Sequence, residues 1–310
     1  MRRRSRGWVW IVMPLLALSC MSGAQTWAGG YNGEHLKLEV WPTVGVDVRI
    51  LDRHDLPAKD ISVEHLIVRE DGKEIAGARL WDDTEPQSVC LLQDTSGSTF
   101  DSRKTVEAEL DEILRDLPVD DEVCHISFSE KPILELGLSG DRHRLAEVIK
   151  YQRSAGGSAM LDALKFAALH LSQRAIYASR VIVFVGDGGD NLSGTTADEL
   201  RDLLCMEGAP TIFALVNRGY STSGHSGGER KQLEGLVEAS GGMAYSPKDP
   251  ASGKDAAKDL IAEMGTRYRL EFDSNDRGRA GSHAIDIKVD KDLAKQKFKV
   301  LAQRGINAAE

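Results

Sequence analysis

Asp94, Ser96 and Ser98 lie in the stretch QDTSGSTFDS (residues 93–102), directly after the apolar run formed by Val89, Cys90, Leu91 and Leu92. A carboxylate and two hydroxyls at alternate positions, with Gly97 between, can turn several oxygens toward one point. That point suits a hard cation. The same residues also fit an Asx-turn that caps the following helix and holds no metal. Two other loops bear on the choice. Ser158 closes the segment SAGGS (154–158), whose glycines let the backbone come close, and Asp187 follows the apolar run RVIVFVG (180–186). Together these loops offer two carboxylates and three hydroxyls. Such a set matches magnesium or manganese keeping some of its waters, rather than zinc, and calcium would demand more carboxylates.

For these loops to meet, the chain must bring them to one edge of a sheet. Strand-like runs occur at residues 89–92, 122–128 (EVCHISF), 180–186 and 211–216 (TIFALV). Those at 180–186 and 211–216 are almost continuously apolar, as in parallel strands covered on both faces. Helical periods alternate with them. Val106, Leu110, Ile113, Leu114 and Leu117 form one face that stops at Pro118. Asp141 is an N-cap before Leu145, Val148 and Ile149, and a helix carrying Leu161, Leu164, Ala168 and Leu171 starts near Ala159. Thr196 and Glu199 make a capping box before Leu200, Leu203 and Leu204, and Leu233, Leu236 and Val237 lead to Gly241 and Gly242. Alternation of this kind predicts a doubly wound, mostly parallel α/β sheet flanked by helices over residues 88–265. Ligands of such sheets collect beyond the carboxyl ends of the strands, where Asp94 and Asp187 both fall. Residues 31–86 and 266–302 show period-2 stretches and turn signals instead. Each is short of strands for its own core, so the two flanks are expected to pair into one small β-domain.

The whole pattern resembles the von Willebrand factor A domain. DTSGS looks like the DxSxS signature of that family's metal-ion-dependent adhesion site, Ser158 in GGSAMLDAL stands where the family usually has threonine, and Asp187 in VGDGGDN matches its aspartate before glycine. The flanking stretches, including VRILDRHDLPAKD and FKVLAQRGI, resemble those of secreted bacterial proteins called VWFA-related. The resemblance implies a Rossmann-like fold and a magnesium site. In it Ser96 and Ser98 would be inner ligands, Ser158 a switchable one, and Asp94 and Asp187 would act partly through water. It further implies that an Asp or Glu carboxylate on a protein partner completes the coordination. Ser158 departs from the family by lacking the methyl group that fixes a threonine rotamer. Gln93 departs too, at a usually apolar position.

Composition restricts the functions open to the chain. Its 310 residues, 41% hydrophobic and 28% charged, are those of an ordinary globular protein. Arg2, Arg3, Arg4 and Arg6 precede an apolar stretch at 8–18 that is short for a membrane span, and Ser22 and Ala24 suit cleavage after Ala24. Residues 1–24 therefore read as a signal peptide, placing the product in the periplasm, outside the cell or on its surface. An imperfect lipobox ending at Cys20 is the alternative, a lipid anchor; an uncleaved N-terminal anchor is a third. Cleavage removes four arginines and no acid, so the net charge of −9 becomes −13. So acidic a chain argues against nucleic acid as a partner. Cys90, Cys124 and Cys205 remain, an odd number that suits buried free thiols. GHSGG (224–228) fits the nucleophile elbow of a serine hydrolase through Ser226. The elbow needs its serine immediately after a strand, and residues 217–223 intervene. The sequence thus points to a non-enzymatic adhesion or interaction module, with a hydrolase or a scaffold bearing a vestigial metal site as rivals.

Overall fold

The computed structural model describes residues 43–217, 227–274 and 281–308. The expected leader, Cys20 and Ser226 lie outside them. The chain enters with β1 (Thr43–Leu51), then the hairpin of β2 (Leu66–Glu70) and β3 (Lys73–Glu74), then β4 (Arg79–Asp83). Next come β5 (Ser88–Asp94), α1 (Arg103–Asp116), β6 (Glu122–Phe128), β7 (Pro132–Ser139), α2 (Arg142–Lys150) and α3 (Met160–Arg174). They are followed by β8 (Arg180–Gly186), α4 (Ala197–Leu204), β9 (Thr211–Val216), α5 (Gly227–Ala239), β10 (Ala244–Tyr245) and α6 (Pro250–Gly265). The chain closes through β11 (Arg267–Asp273), β12 (Gly281–Val289), α7 (Lys291–Lys295), β13 (Lys299–Ala302) and β14 (Gly305–Ala308).

Six strands form the central sheet in the order β10-β9-β8-β5-β6-β7. All its pairings are parallel except that of the edge strand β7 with β6. Strand residues alternate sides, so β5 feeds two cores. Cys90 and Leu92 pack toward α3, α4 and α5, while Val89 and Leu91 pack toward α1, α2 and α6. Both faces are covered, which is why these strands read as unbroken apolar runs. Caps fix the helices that follow. Asp141 accepts the Arg144 amide at 3.0 Å, and Thr196 and Glu199 close a capping box at α4. After β5 the chain crosses to β6 on one side, and β8 later returns to the other side of β5. Strand order therefore reverses between β5 and β8, leaving a crevice above their carboxyl ends.

The flanks build two further four-stranded sheets, ordered β13-β1-β11-β4 and β14-β12-β2-β3, and these share one apolar core. N-terminal and C-terminal strands alternate within them: β1 pairs with β11 and β13, and β2 pairs with β12. The β2–β3 hairpin turns through Asp71 at φ 49° and Gly72 at φ 78°, the positive pair that a tight two-residue turn requires. Among the described residues no helix is long and apolar enough to cross a membrane.

Candidate metal centre

Asp94 is the last residue of β5, and its Oδ1 accepts the Ser96 amide at 2.8 Å. An Asx-turn is thus present, yet it closes on Ser96 rather than on α1, which begins only at Arg103. A short 3₁₀ turn, Gly97–Thr99, follows, held where Thr99 Oγ1 donates to the Ser96 carbonyl at 2.8 Å. The turn sets the Ser96 and Ser98 hydroxyls 3.0 Å apart.

Two backbone bonds lace this loop to the segment before α3. Gly97 N–H donates to Gly156 O and Ala155 N–H to Thr95 O, both at 2.9 Å. Gly156 has φ +78°, a conformation that favours glycine. Ser158 then sits buried with its hydroxyl donating to the Gly189 carbonyl at 2.7 Å, and its amide donates to Asn191 Oδ1 at 2.9 Å. Asp187 belongs to that same third loop, and its Oδ1 accepts the Gly189 amide at 2.9 Å. The structure therefore ties the loops of Ser96, Ser158 and Asp187 into one continuous rim.

Asp94 and Asp187 come together because Gly186 intervenes. A Cβ at position 186 would lie 2.4 Å from the Asp94 Cβ, so the missing side chain is what gives Asp94 its room. Asp94 is buried, and its Oδ2 has no hydrogen bond of regular geometry. Burial first, and the neighbouring Asp187 charge second, raise its carboxyl to about 7, against the lowering hydrogen bonds of Ser96 and the Asp187 amide. A buried carboxylate whose strongest charged neighbour is another carboxylate is costly, and a divalent cation would offset that cost. The donors present, hydroxyl and carboxylate oxygens with no soft ligand, fit magnesium or manganese. Among the described residues no three His, Cys, Asp or Glu side chains gather as metal ligands.

Several residues that support this rim were not singled out from the sequence. Asn191 orients Ser158, and Asp190 Oδ2 accepts the Leu161 amide at 2.8 Å at the start of α3. Gln93 points to the opposite side of the sheet from Asp94, where its Oε1 meets His125 Nε2 at 2.9 Å. Burial lowers His125 to about 4, so the imidazole is neutral at pH 7.

A doubly wound sheet with a serine- and aspartate-lined crevice at its switch point defines the class, and sequence comparison agrees. Residues 89–189 match the family model of the von Willebrand factor type A domain, so the chain carries such a domain. Among solved structures, a von Willebrand factor type A protein from Catenulispora acidiphila superposes with TM-score 0.50 at 12% identity, covering 86% of this chain and 73% of that one. An aerotolerance-related membrane protein from Bacteroides fragilis gives TM-score 0.45 at 14% identity, over 57% and 98% of the two chains. The vWF domain of the type V pili tip protein Mfa5 from Porphyromonas gingivalis gives TM-score 0.44 at 10% identity, over 64% of this chain and 99% of that one. At 12% identity the likeness to the Catenulispora acidiphila protein is one of fold. A search of curated proteins returns no match.

Proposed function

We propose that this protein is an exported, non-enzymatic adhesion or interaction module that holds an acidic residue of a protein partner through a divalent ion. Ser96, Ser98 and Ser158 would give the ion neutral oxygens, and Asp94 and Asp187 its compensating charge. Bound there, magnesium or manganese supplies a Lewis-acidic point for an outside Asp or Glu carboxylate. The observation that carries this reading is the buried Asp94 carboxyl, raised by burial and by Asp187, beside the paired hydroxyls of Ser96 and Ser98. Asn191 and Gly189 orient the Ser158 group, and the exposed side chains of Phe100, Tyr151 and Leu192 on the neighbouring loops offer apolar surface for the partner.

Calorimetry with magnesium chloride tests it. Wild type is expected to bind the ion and Asp94→Ala to lose at least about tenfold in affinity, since one of the two compensating charges is removed. Equal binding by both would refute the assignment. Capture of a partner from the cell envelope should likewise vanish in EDTA; capture indifferent to EDTA would favour a scaffold with a vestigial site. Ester turnover lost in Ser226→Ala would favour the hydrolase instead.

A further inference from the structure

The register of β5 and β6 sets Cys90 directly opposite Cys124 in a parallel ladder. Both side chains are fully buried and both belong to the core on the α3 side of the sheet, so they leave their strands on the same face. Adjacent strands lie about 4.8 Å apart, and disulfides span Cα separations of about 4.4–6.8 Å, so the pair needs only a side-chain adjustment to be joined. Cys205 lies elsewhere, half-buried after α4, beside Gly305. All three are free thiols in this structure. Read singly in the sequence they look like packing residues; only the register reveals that two of them form a pair.

We propose that Cys90 and Cys124 are a disulfide-forming pair, oxidised as the chain folds in the presence of a small disulfide or a disulfide-bearing protein. Before α3 covers the strands either thiol can attack first, and the step is written with Cys124 leading. The Cys124 thiolate attacks one sulfur of R–S–S–R, forming a mixed disulfide and expelling RS⁻, which takes up a proton. Cys90, deprotonated, then attacks Cys124 Sγ and expels the second RS⁻. Two protein thiols and one R–S–S–R become one protein disulfide and two RSH. The packed core has no space for the mixed disulfide, so exchange belongs to the stage before β5 and β6 are covered by α3. The finished bond would pin the two strands together four residues below Asp94 and close a loop containing the whole Ser96–Ser98 turn and α1.

The full chain, reduced and unfolded, is refolded in oxidised and reduced glutathione, alkylated with N-ethylmaleimide and digested without reductant. The expected map joins the Cys90 and Cys124 peptides, two hydrogens lighter than the free pair, with Cys205 alkylated. Cys205→Ser should leave the bond intact, and Cys124→Ser should leave Cys90 alkylated. The oxidised protein should melt several degrees above its reduced form. Cys90 and Cys124 both alkylated in protein with native circular dichroism would overturn the proposal, as would either one joined to a different cysteine. The thiol map reads this pair alone and is independent of whether Asp94 binds magnesium.

Discussion

Gly186 and Asp94 belong to neighbouring strands, and the carboxyl can stand at the switch point only because residue 186 has no Cβ. The 2.4 Å approach is shorter than any real contact, and what it meets is the Asp94 Cβ, anchored to the backbone of a central strand. Gly186→Ala should therefore displace Asp94, costing about 1–3 kcal/mol in urea unfolding and weakening magnesium binding more than tenfold. Unchanged calorimetry for this variant would show that Asp94 tolerates displacement. Asp94, Ser96 and Ser98 could be found from sequence because their relation is local, an alternation within five residues. Asn191 could not, since its part depends on one amide 33 positions away. Gly186 was equally hidden: a glycine ending an apolar run has no visible partner until strand order is known.

Among the elements, α1 carries an acid on its buried face. Glu109 is fully buried, with Oε2 accepting from Asn217 Nδ2 at 2.6 Å and Oε1 without a hydrogen bond. Burial raises its carboxyl to about 7, and the Asn217 bond only partly opposes this. The folded state thus holds the proton more tightly than the unfolded chain, whose carboxyl titrates near the ordinary value of 4.5. Stability from this group should be greatest below that lower value, fall as pH rises toward about 7, and level off above it. Glu109→Gln is expected to flatten that slope and to gain about 1–3 kcal/mol at pH 8, measured by urea unfolding across the pH range. A slope unchanged by the substitution would place the titration elsewhere. The helical period already set residue 109 on the face of Val106, Leu110 and Ile113, so this acid was open to discovery in the sequence. The strands β6, β8 and β9 match the sequence reading residue for residue, and in β8 and β9 burial on both sides leaves nearly unbroken apolar runs. β7 escaped it: as an edge strand it keeps Ile133 and Leu134 exposed, which breaks the buried-strand signature. α6 escaped as well, because its first turns hold Ser252 and Gly253 and its apolar residues cluster only from Ala257 onward.

At the scale of the molecule, Arg49 of β1 fastens the β-domain to the central sheet. Its guanidinium is fully buried, lies 4.9 Å from the Phe213 ring centroid, and gives Nη1 to Thr211 Oγ1 at 3.5 Å. Burial lowers its pKa, while Asp47 and Glu263 hold the charge in place. Glu263 is itself buried and accepts from the Tyr245 hydroxyl at 2.5 Å. Arg49→Ala should cost about 3–5 kcal/mol, because it leaves Glu263 without a compensating charge, and joint replacement of Arg49 and Glu263 by methionine should cost much less. Urea unfolding of the single and double variants checks this; equal losses would mean that the two groups do not compensate each other. The pairing of the flanks was legible from their period-2 patterns, but the clamp was not, since nothing in the sequence around residue 49 points to Phe213. The interleaving also has a temporal meaning. Thr43 finds Asp273 across 230 residues, so β1 emerges from the ribosome long before its neighbours exist. The sandwich has to wait for the tail of the polypeptide, and during that interval the early strands are open to wrong pairing.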